Sequence, residues 1–418
     1  MNQNSVVTAS NVTLTNCDRE QIHIPGSIQP HGVLFVLKQP DLIIVAVSQN
    51  TEVFLGIKPE NLPGKLLSSL LGDRQTEKLQ KCLDKDFENV SPIPIYLEEK
   101  FNAILHRHDG FVILELEARE SEMPTDFLTF YQLTKATLTK IQKALNLEEL
   151  SAIVVEEVRE LTDFDRVMVY RFHPDNSGEV IGESKKEELM PYMGLHYPAT
   201  DIPQPARRLY ALNFLRIIPD VNYEAVELPV NPETNEPFDL SFAVLRSVSP
   251  IHVEYLKNMG VLASMSISLI KDGKLWGLVA CHHYSPKYID YEIRTACEFL
   301  GQVMSLELAS KEANQNIDHK LKLKSIQSKL IDSLSHSEDL SKGLLKESEN
   351  LLKLTGSDGV ALQYGGVLTV VGDAPPQSQI EDLIEWIDTQ IEGDVWMTDS
   401  LSKVYPNAGE YKDKASGV

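Results

Sequence analysis

The first third of the chain carries short apolar runs broken by turn residues. His31 to Leu37 and Leu42 to Val47 are two such runs, separated by a Gln-Pro-Asp turn signal, and they predict neighbouring strands. Thr51 to Leu55 reads as a short helix. Further strands are expected at Pro94 to Leu97, Phe101 to His106 and Phe111 to Glu117. The region ends near Glu122-Met-Pro124 and predicts a small antiparallel α+β domain.

Helical spacing takes over from Asp126 to Leu145. Asn146, with Glu149 three positions on, is a capping-box pattern opening a second helix that runs to about Thr162. Arg166 to Phe172 reads as a strand. So do Ala263 to Ile270 and Leu275 to His282, with Asp272-Gly273 as the hairpin signal between them. From Asp290 to Leu334 the helical pattern is nearly unbroken, giving either one helix of over roughly 60 Å or two helices with a break. A single helix of that length reads as a connector between domains and a dimer seam. A third unit follows, with a helix over Glu338 to Leu354 ended by Gly356, strands at Val360 to Tyr364 and Val367 to Val371, and a helix over Gln379 to Ile391. The chain ends at Ser416-Gly-Val418, where a further strand is expected, and reads as truncated.

Composition narrows the function classes. With 39 Lys+Arg against 61 Asp+Glu, the net charge is −22. Phosphate-rich partners need a basic footprint, so nucleic acid and anionic membranes are disfavoured. No apolar run reaches the roughly 20 residues of a membrane span. Met1 to Asn16 is polar, lacks an apolar signal core, and reads as a mobile tail, so a cytoplasmic protein is expected. Cys17, Cys82, Cys281 and Cys297 are scattered without metal-ligand spacing, and are expected as free thiols. The run Cys281-His282-His283 makes a poor metal site, because adjacent strand residues point to opposite faces.

Several longer motifs remain. They are Cys17-Asp-Arg-Glu20, Ile24-Pro-Gly-Ser-Ile-Gln-Pro-His-Gly32, Tyr197-Pro-Ala-Thr-Asp-Ile-Pro-Gln-Pro-Ala-Arg207, Arg246-Ser-Val-Ser-Pro-Ile-His-Val-Glu-Tyr-Leu-Lys-Asn-Met-Gly260 and Trp276-Gly-Leu-Val-Ala-Cys-His-His283. Together, and in this order, they resemble the bacteriophytochromes, the biliverdin-binding branch of the phytochrome family. The resemblance covers nearly the whole chain.

It implies an α+β fold in which PAS and GAF domains, antiparallel sheets flanked by helices, are joined by a figure-eight knot. A long connecting helix then leads to a partial, GAF-like PHY domain. The implied divisions are an N-terminal extension over 1–30, PAS over 31–123, GAF over 124–310, and linker helix with part of PHY over 311–418. The knot's lasso would be Asn222 to Phe242.

The resemblance also implies a cofactor, biliverdin IXα. Plant-type members attach their bilin to a Cys immediately before the motif His. Ile251 stands there, so attachment is expected as a thioether at Cys17. Asp201, in its Asp-Ile-Pro turn with Ile202 and Pro203, would accept from the pyrrole nitrogens through its backbone carbonyl. His252 would contact the same nitrogens, and an imidazole titrating near about 6.5 suits a proton reservoir. Arg216 and Arg246 would hold the two propionates, since guanidinium forks suit carboxylates, with Ser249, Ser264 and Ser266 nearby. Tyr170, Tyr197 and Tyr255, with Met168 and Tyr210, would surround the rotating D ring. His282 would bond its carbonyl. Cys82, Cys281 and Cys297 sit in apolar patterns and read as core thiols.

The function so implied is a red/far-red photoreceptor. It would signal by Z/E isomerisation to an output module outside this chain, a histidine kinase acting on a response regulator, with homodimerisation through GAF and linker helices and no enzymatic activity of its own. The alternative is a GAF-type module for a cyclic nucleotide, with Arg216 or Arg246 as phosphate clamp; it leaves Cys17 and the Asp201 to Arg207 motif unexplained. For a Cys/His enzyme, nothing in the sequence marks an oxyanion hole.

Overall fold

The computed structural model describes residues 7–83, 93–97, 101–118, 127–337, 339–391 and 393–418. They divide into two units, Met1–Glu312 and Ala313–Val418. Residues 7–16 form hydrogen-bonded turns where a tail was expected from composition, and residues 1–6 of that tail lie outside the described residues. Asn11 and Val12 donate to Thr8, and Gln21 donates to Val7. Cys17–Arg19 form a 3-10 turn, followed by the short strand β1 (Ser27–Ile28).

A five-stranded antiparallel sheet follows, built from β2 (Gly32–Lys38), β3 (Ile43–Val47), β4 (Ile93–Leu97), β5 (Phe101–His108) and β6 (Phe111–Ala118), in the order β3-β2-β6-β5-β4. Helices α1 (Thr51–Leu55), α2 (Ser68–Leu71) and α3 (Asp73–Leu83) intervene between β3 and β4. The unbroken apolar run in β2 means burial on both faces. Val33, Phe35 and Leu37 pack on one side with Leu67, Leu79 and Leu83. Leu34 and Val36 pack on the other with Leu228, Phe238, Leu240 and Leu245.

Those last four residues come from a much later loop: Leu228, Phe238 and Leu240 fall in the expected lasso, and Leu245 lies just past its end. Residues 23–29 bond to both of its arms. β1 pairs with β11 (Val226–Glu227), and Leu228 donates to Gly26. On the other side Leu240 donates to His23, Gln29 to Leu245, and Ser247 to Ser27. A segment held between two arms of one loop is the arrangement that threading requires.

Helices α4 (Phe127–Lys143) and α5 (Leu147–Thr162) lead into the second sheet. Asn146 caps α5 by accepting from Glu149 N–H at 2.9 Å. The Glu149 carboxylate returns to Leu145 N–H at 2.8 Å, one residue earlier than an ideal capping box. Expected residue Asp126 lies outside the described residues.

The second sheet uses β7 (Arg166–Phe172), β8 (Gly178–Lys185), β9 (His196–Tyr197), β10 (Leu215–Ile218), β12 (Ala263–Lys271) and β13 (Lys274–His283), in the antiparallel order β10-β12-β13-β7-β8-β9. Helix α6 (Gln204–Leu212) follows β9, and α7 (Pro250–Asn258) precedes β12. Asp272 and Gly273 both take positive φ, 50° and 71°, as the hairpin turn requires. Strand alternation divides the sheet's residues. Val167, Val169, Leu215, Ile217, Met265, Ile267, Leu269, Val279 and Cys281 pack with α5 and with α8 (Tyr291–Ser335). The intervening residues face the opposite side, where the candidate site lies. Helix α8 is one continuous element of 45 residues, which settles the expected alternatives for its pattern. Among the described residues, no helix is long and apolar enough to cross a membrane.

The second unit holds α9 (Leu340–Lys346), α10 (Ser348–Thr355), the hairpin β14 (Gly359–Tyr364) and β15 (Val367–Gly372), α11 (Gln377–Gln390) and α12 (Leu401–Val404). The single helix expected over Glu338 to Leu354 is instead two helices, because Glu347 leaves helical geometry at φ −110°, ψ 37°. Glu338 lies outside the described residues. Gly356 ends α10 in the left-handed conformation, φ 64°, as its position predicts. Leu383, Leu401, Tyr405, Ala408 and Tyr411 form this unit's core with Trp386 and Trp396.

Candidate functional site

A cavity of about 820 Å³ opens on the polar face of the second sheet. Its size is that of a site for a substantial organic ligand. Twelve residues singled out from the sequence line it: Cys17, Asp201, Ile202, Pro203, Tyr210, Arg216, Arg246, Ser249, His252, Tyr255, Ser264 and Ser266. Ile251 lines it too. The other four, Met168, Tyr170, Tyr197 and His282, lie outside that lining. Met168, Tyr170 and Tyr197 pack in a neighbouring apolar cluster that shares Ile202 and Tyr210 with the cavity wall. The Tyr170 and Tyr197 rings are 5.9 Å apart.

Register explains the cationic wall. Arg216 on β10 is paired with Ser266 on β12, so both side chains leave the sheet on the same face. Arg216 Nε donates to Ser266 Oγ at 3.0 Å and Nη1 to Ser268 Oγ at 2.8 Å. Nη1 also donates to Asn213 O. The guanidinium lies 4.0 Å from the centre of the Tyr210 ring. Its Nη2 is buried without a hydrogen-bond partner among the described residues. Burial pulls Arg216 down to about 10, Arg246 adding to the fall while Tyr210 and then Glu298 oppose it. Arg246 Nη1 donates to the carbonyls of Leu240 and Ser241, both at 3.0 Å, and burial lowers its pKa too. Neither guanidinium is ion-paired to a carboxylate among the described residues. Half-buried cations that are partly desolvated and lack a counter-ion are costly, so the wall is suited to receive negative charge.

The Asp201 turn is held by a residue that sequence reasoning gave no role. Arg207 donates to Ile202 O at 2.7 Å and Ala199 O at 3.1 Å. It reaches Asn176, in the β7–β8 turn, through two further bonds. Tyr255 Oη donates to Asp201 Oδ2 at 3.3 Å. His252 stacks on Tyr255 with ring centres 6.2 Å apart. Burial, then the nearby Arg216, push His252 down to about 4. That lies below the ordinary imidazole value near about 6.5 and disfavours the charged form. His282 is pushed to about 3 by burial, Arg166 and His252, and its buried Nδ1 has no partner among the described residues.

Cys17 reaches the cavity rim on its 3-10 turn, half-buried, with Sγ donating to Leu14 O at 3.7 Å. All four cysteines are free, and Cys281 and Cys297 are buried in the core as expected. Three further residues were missed as individuals. Glu20 accepts from Ser249 Oγ at 2.6 Å. Gln29 Nε2 donates to Ile217 O and Arg246 O. Ser268 steadies Arg216. Glu20 and Gln29 sit inside motifs already noted, and Ser268 continues the two-residue spacing of Ser264 and Ser266.

Comparison with known proteins bears on the family and the fold. Family profiles match in chain order: PAS fold at residues 17–119, GAF domain at 146–308 and phytochrome region at 323–418. The solved photosensory core module of Stigmatella aurantiaca phytochrome is 45% identical, with a TM-score of 0.74, covering 96% of this chain and 81% of that one. The chain belongs to the phytochrome family. Among curated phytochromes, cyanobacterial phytochrome B of a Nostoc species is 47% identical across the whole chain, and the bacteriophytochrome of Pseudomonas aeruginosa is 37% identical across 96% of it. The chain spans only 57% and 55% of the lengths of these two phytochromes. Phytochromes are photoreceptors that bind a bilin, so membership supports a light-sensing role and does not favour the cyclic-nucleotide alternative.

Proposed function

We propose that this chain is the pigment-holding sensor of a red/far-red phytochrome, carrying biliverdin IXα as a thioether at Cys17. The observation that carries this reading is the pair of half-buried arginines, Arg216 and Arg246, lining one cavity with Cys17. Two cations without partner carboxylates suit the two propionates of a bilin. Ile251 occupies the wall where a plant-type attachment thiol would stand, which leaves Cys17 as the cavity's thiol among the described residues.

The bound bilin supplies visible absorption and Z/E isomerisation. The protein's part is to bind and orient it. Arg216, Arg246, Ser264 and Ser266 take the carboxylates, with Ser249 beside them engaged to Glu20. The Asp201 carbonyl and His252 serve the pyrrole nitrogens. Ile202, Pro203, Met168, Tyr170, Tyr197, Tyr210 and Tyr255 enclose the ring that turns, and the unpaired Nδ1 of His282 supports a hydrogen bond to its carbonyl. In the whole protein the signal passes from a cytoplasmic homodimer, joined through GAF and linker helices, to a histidine kinase module and a response regulator.

The test is to incubate the protein with biliverdin, denature it, and detect chain-bound pigment by zinc fluorescence. Cys17→Ser should lose the retained pigment, and red light should shift the absorption spectrum of the loaded parent. No retained pigment in the parent, or undiminished retention in Cys17→Ser, would sink the attachment reading.

A further inference from the structure

The turn that carries Cys17 also carries a buried carboxyl. In a 3-10 turn, side chains three residues apart eclipse. Glu20 N–H donates to Cys17 O at 3.3 Å, closing that turn. Cys17 and Glu20 accordingly stand one turn apart, and both line the cavity. Glu20 is only 5% exposed. Its carboxyl is fixed by Ser249 Oγ at 2.6 Å, at the start of the helix that bears His252 and Tyr255. None of the binding roles proposed above uses it.

We infer that Glu20 is the acid–base partner of Cys17 in forming the bond to the pigment. This rests on the proposed attachment at Cys17. Thioether formation is the addition of S–H across a vinyl double bond. The thiol proton passes to the Glu20 carboxylate, and sulfur supplies the electron pair of the new C–S bond. The vinyl π pair then takes a proton at carbon, returned from Glu20. The sum is redox-neutral and needs no further reactant. Burial raises Glu20 above the ordinary carboxylate range, while Ser249 opposes, which brings it closer to the range useful for proton transfer at neutral pH.

Two measurements test it. At saturating biliverdin, Glu20→Gln should slow covalent attachment by on the order of 10²-fold, the usual scale for a lost acid–base group. In pigment-free protein, iodoacetamide alkylation is read on the Cys17 peptide by mass spectrometry across pH. Glu20→Gln should alkylate more slowly than the parent on the acid side. Faster alkylation would mean that Glu20 is only a repelling charge, and overturns the proposal. An unchanged attachment rate also overturns it. So does equal slowing in Glu20→Gln and Ser249→Ala with an unchanged pH profile, which would make Glu20 only a tether for the turn. If Cys17→Ser still retains pigment after denaturation, the underlying attachment reading fails instead, whatever Glu20 does.

Discussion

Arg216 Nε donates to Ser266 Oγ at 3.0 Å across a register pair of β10 and β12, while its Nη2 remains buried and unpaired among the described residues. A guanidinium tethered at two nitrogens, Nε and Nη1, and open at the third is preorganised for an anion. A hydrogen bond to a charged group contributes about 1.5–3 kcal/mol, or roughly 10–100-fold in affinity. In a Cys17→Ser background, Arg216→Ala should weaken biliverdin binding by that factor, read by fluorescence quenching. Equal affinity would remove Arg216 from the carboxylate site.

His106 faces the lasso, 5.9 Å from the Phe242 ring, with both ring nitrogens unpaired among the described residues. Burial pushes it down to about 3, His108 adding to the fall and Asp239 opposing. Its ordinary value is near about 6.5. As pH falls, the unfolded chain therefore takes up this proton first. The stabilisation is complete above about 6.5 and is lost on the way to about 3. His106→Leu should flatten the loss of stability between pH 6.5 and 4, measured by urea unfolding against the parent. Glu115, pushed up to about 8 by burial, contributes the opposite slope, but equally in both proteins. Parallel curves would refute the assignment.

Glu117 and Arg294 form a buried ion pair, with Tyr288 Oη donating to the same carboxylate at 3.2 Å. Arg294 and His31 hold Glu117 below the usual range against the upward push of burial. Removing one member leaves an uncompensated charge, at a cost of about 3–5 kcal/mol. Arg294→Met should show that loss, and Glu117→Leu/Arg294→Met should recover most of it. A double variant no better than Arg294→Met would contradict the pairing argument.

Gly178 makes room for Tyr170. A Cβ there would lie 2.0 Å from Tyr170 Cζ, closer than any contact a fixed ring tolerates. Gly178→Ala should turn the Tyr170 ring, lower stability by about 1–3 kcal/mol, and shift the bound pigment's absorption maximum. An unchanged spectrum and unfolding midpoint would show that the ring yields freely.

Much of this was legible locally. Alternation in β7, β12 and β13 separates core from cavity face by period alone. The capping residues of α5, the Asp272-Gly273 turn and the αL Gly356 follow from backbone chemistry. Motif order pointed to Cys17, the Asp201 turn and both arginines. The break at Glu347 escaped, because the apolar spacing runs through it. The turns over residues 7–16 escaped because Asn, Ser and Thr suit ordered turns and disordered tails alike.

What the sequence by itself determined, then, is the set of elements, the family resemblance, and the replacement of an attachment thiol by Ile251. Those depend on side-chain type and spacing. Only the tertiary structure decided that Arg216 keeps an open nitrogen, that burial lowers His252, that Arg207 clamps the Asp201 turn, and that Glu20 reaches Ser249 across 229 residues of chain. Each of these depends on burial and on partners distant in sequence, and desolvation is a property of the folded surroundings that no local spacing encodes.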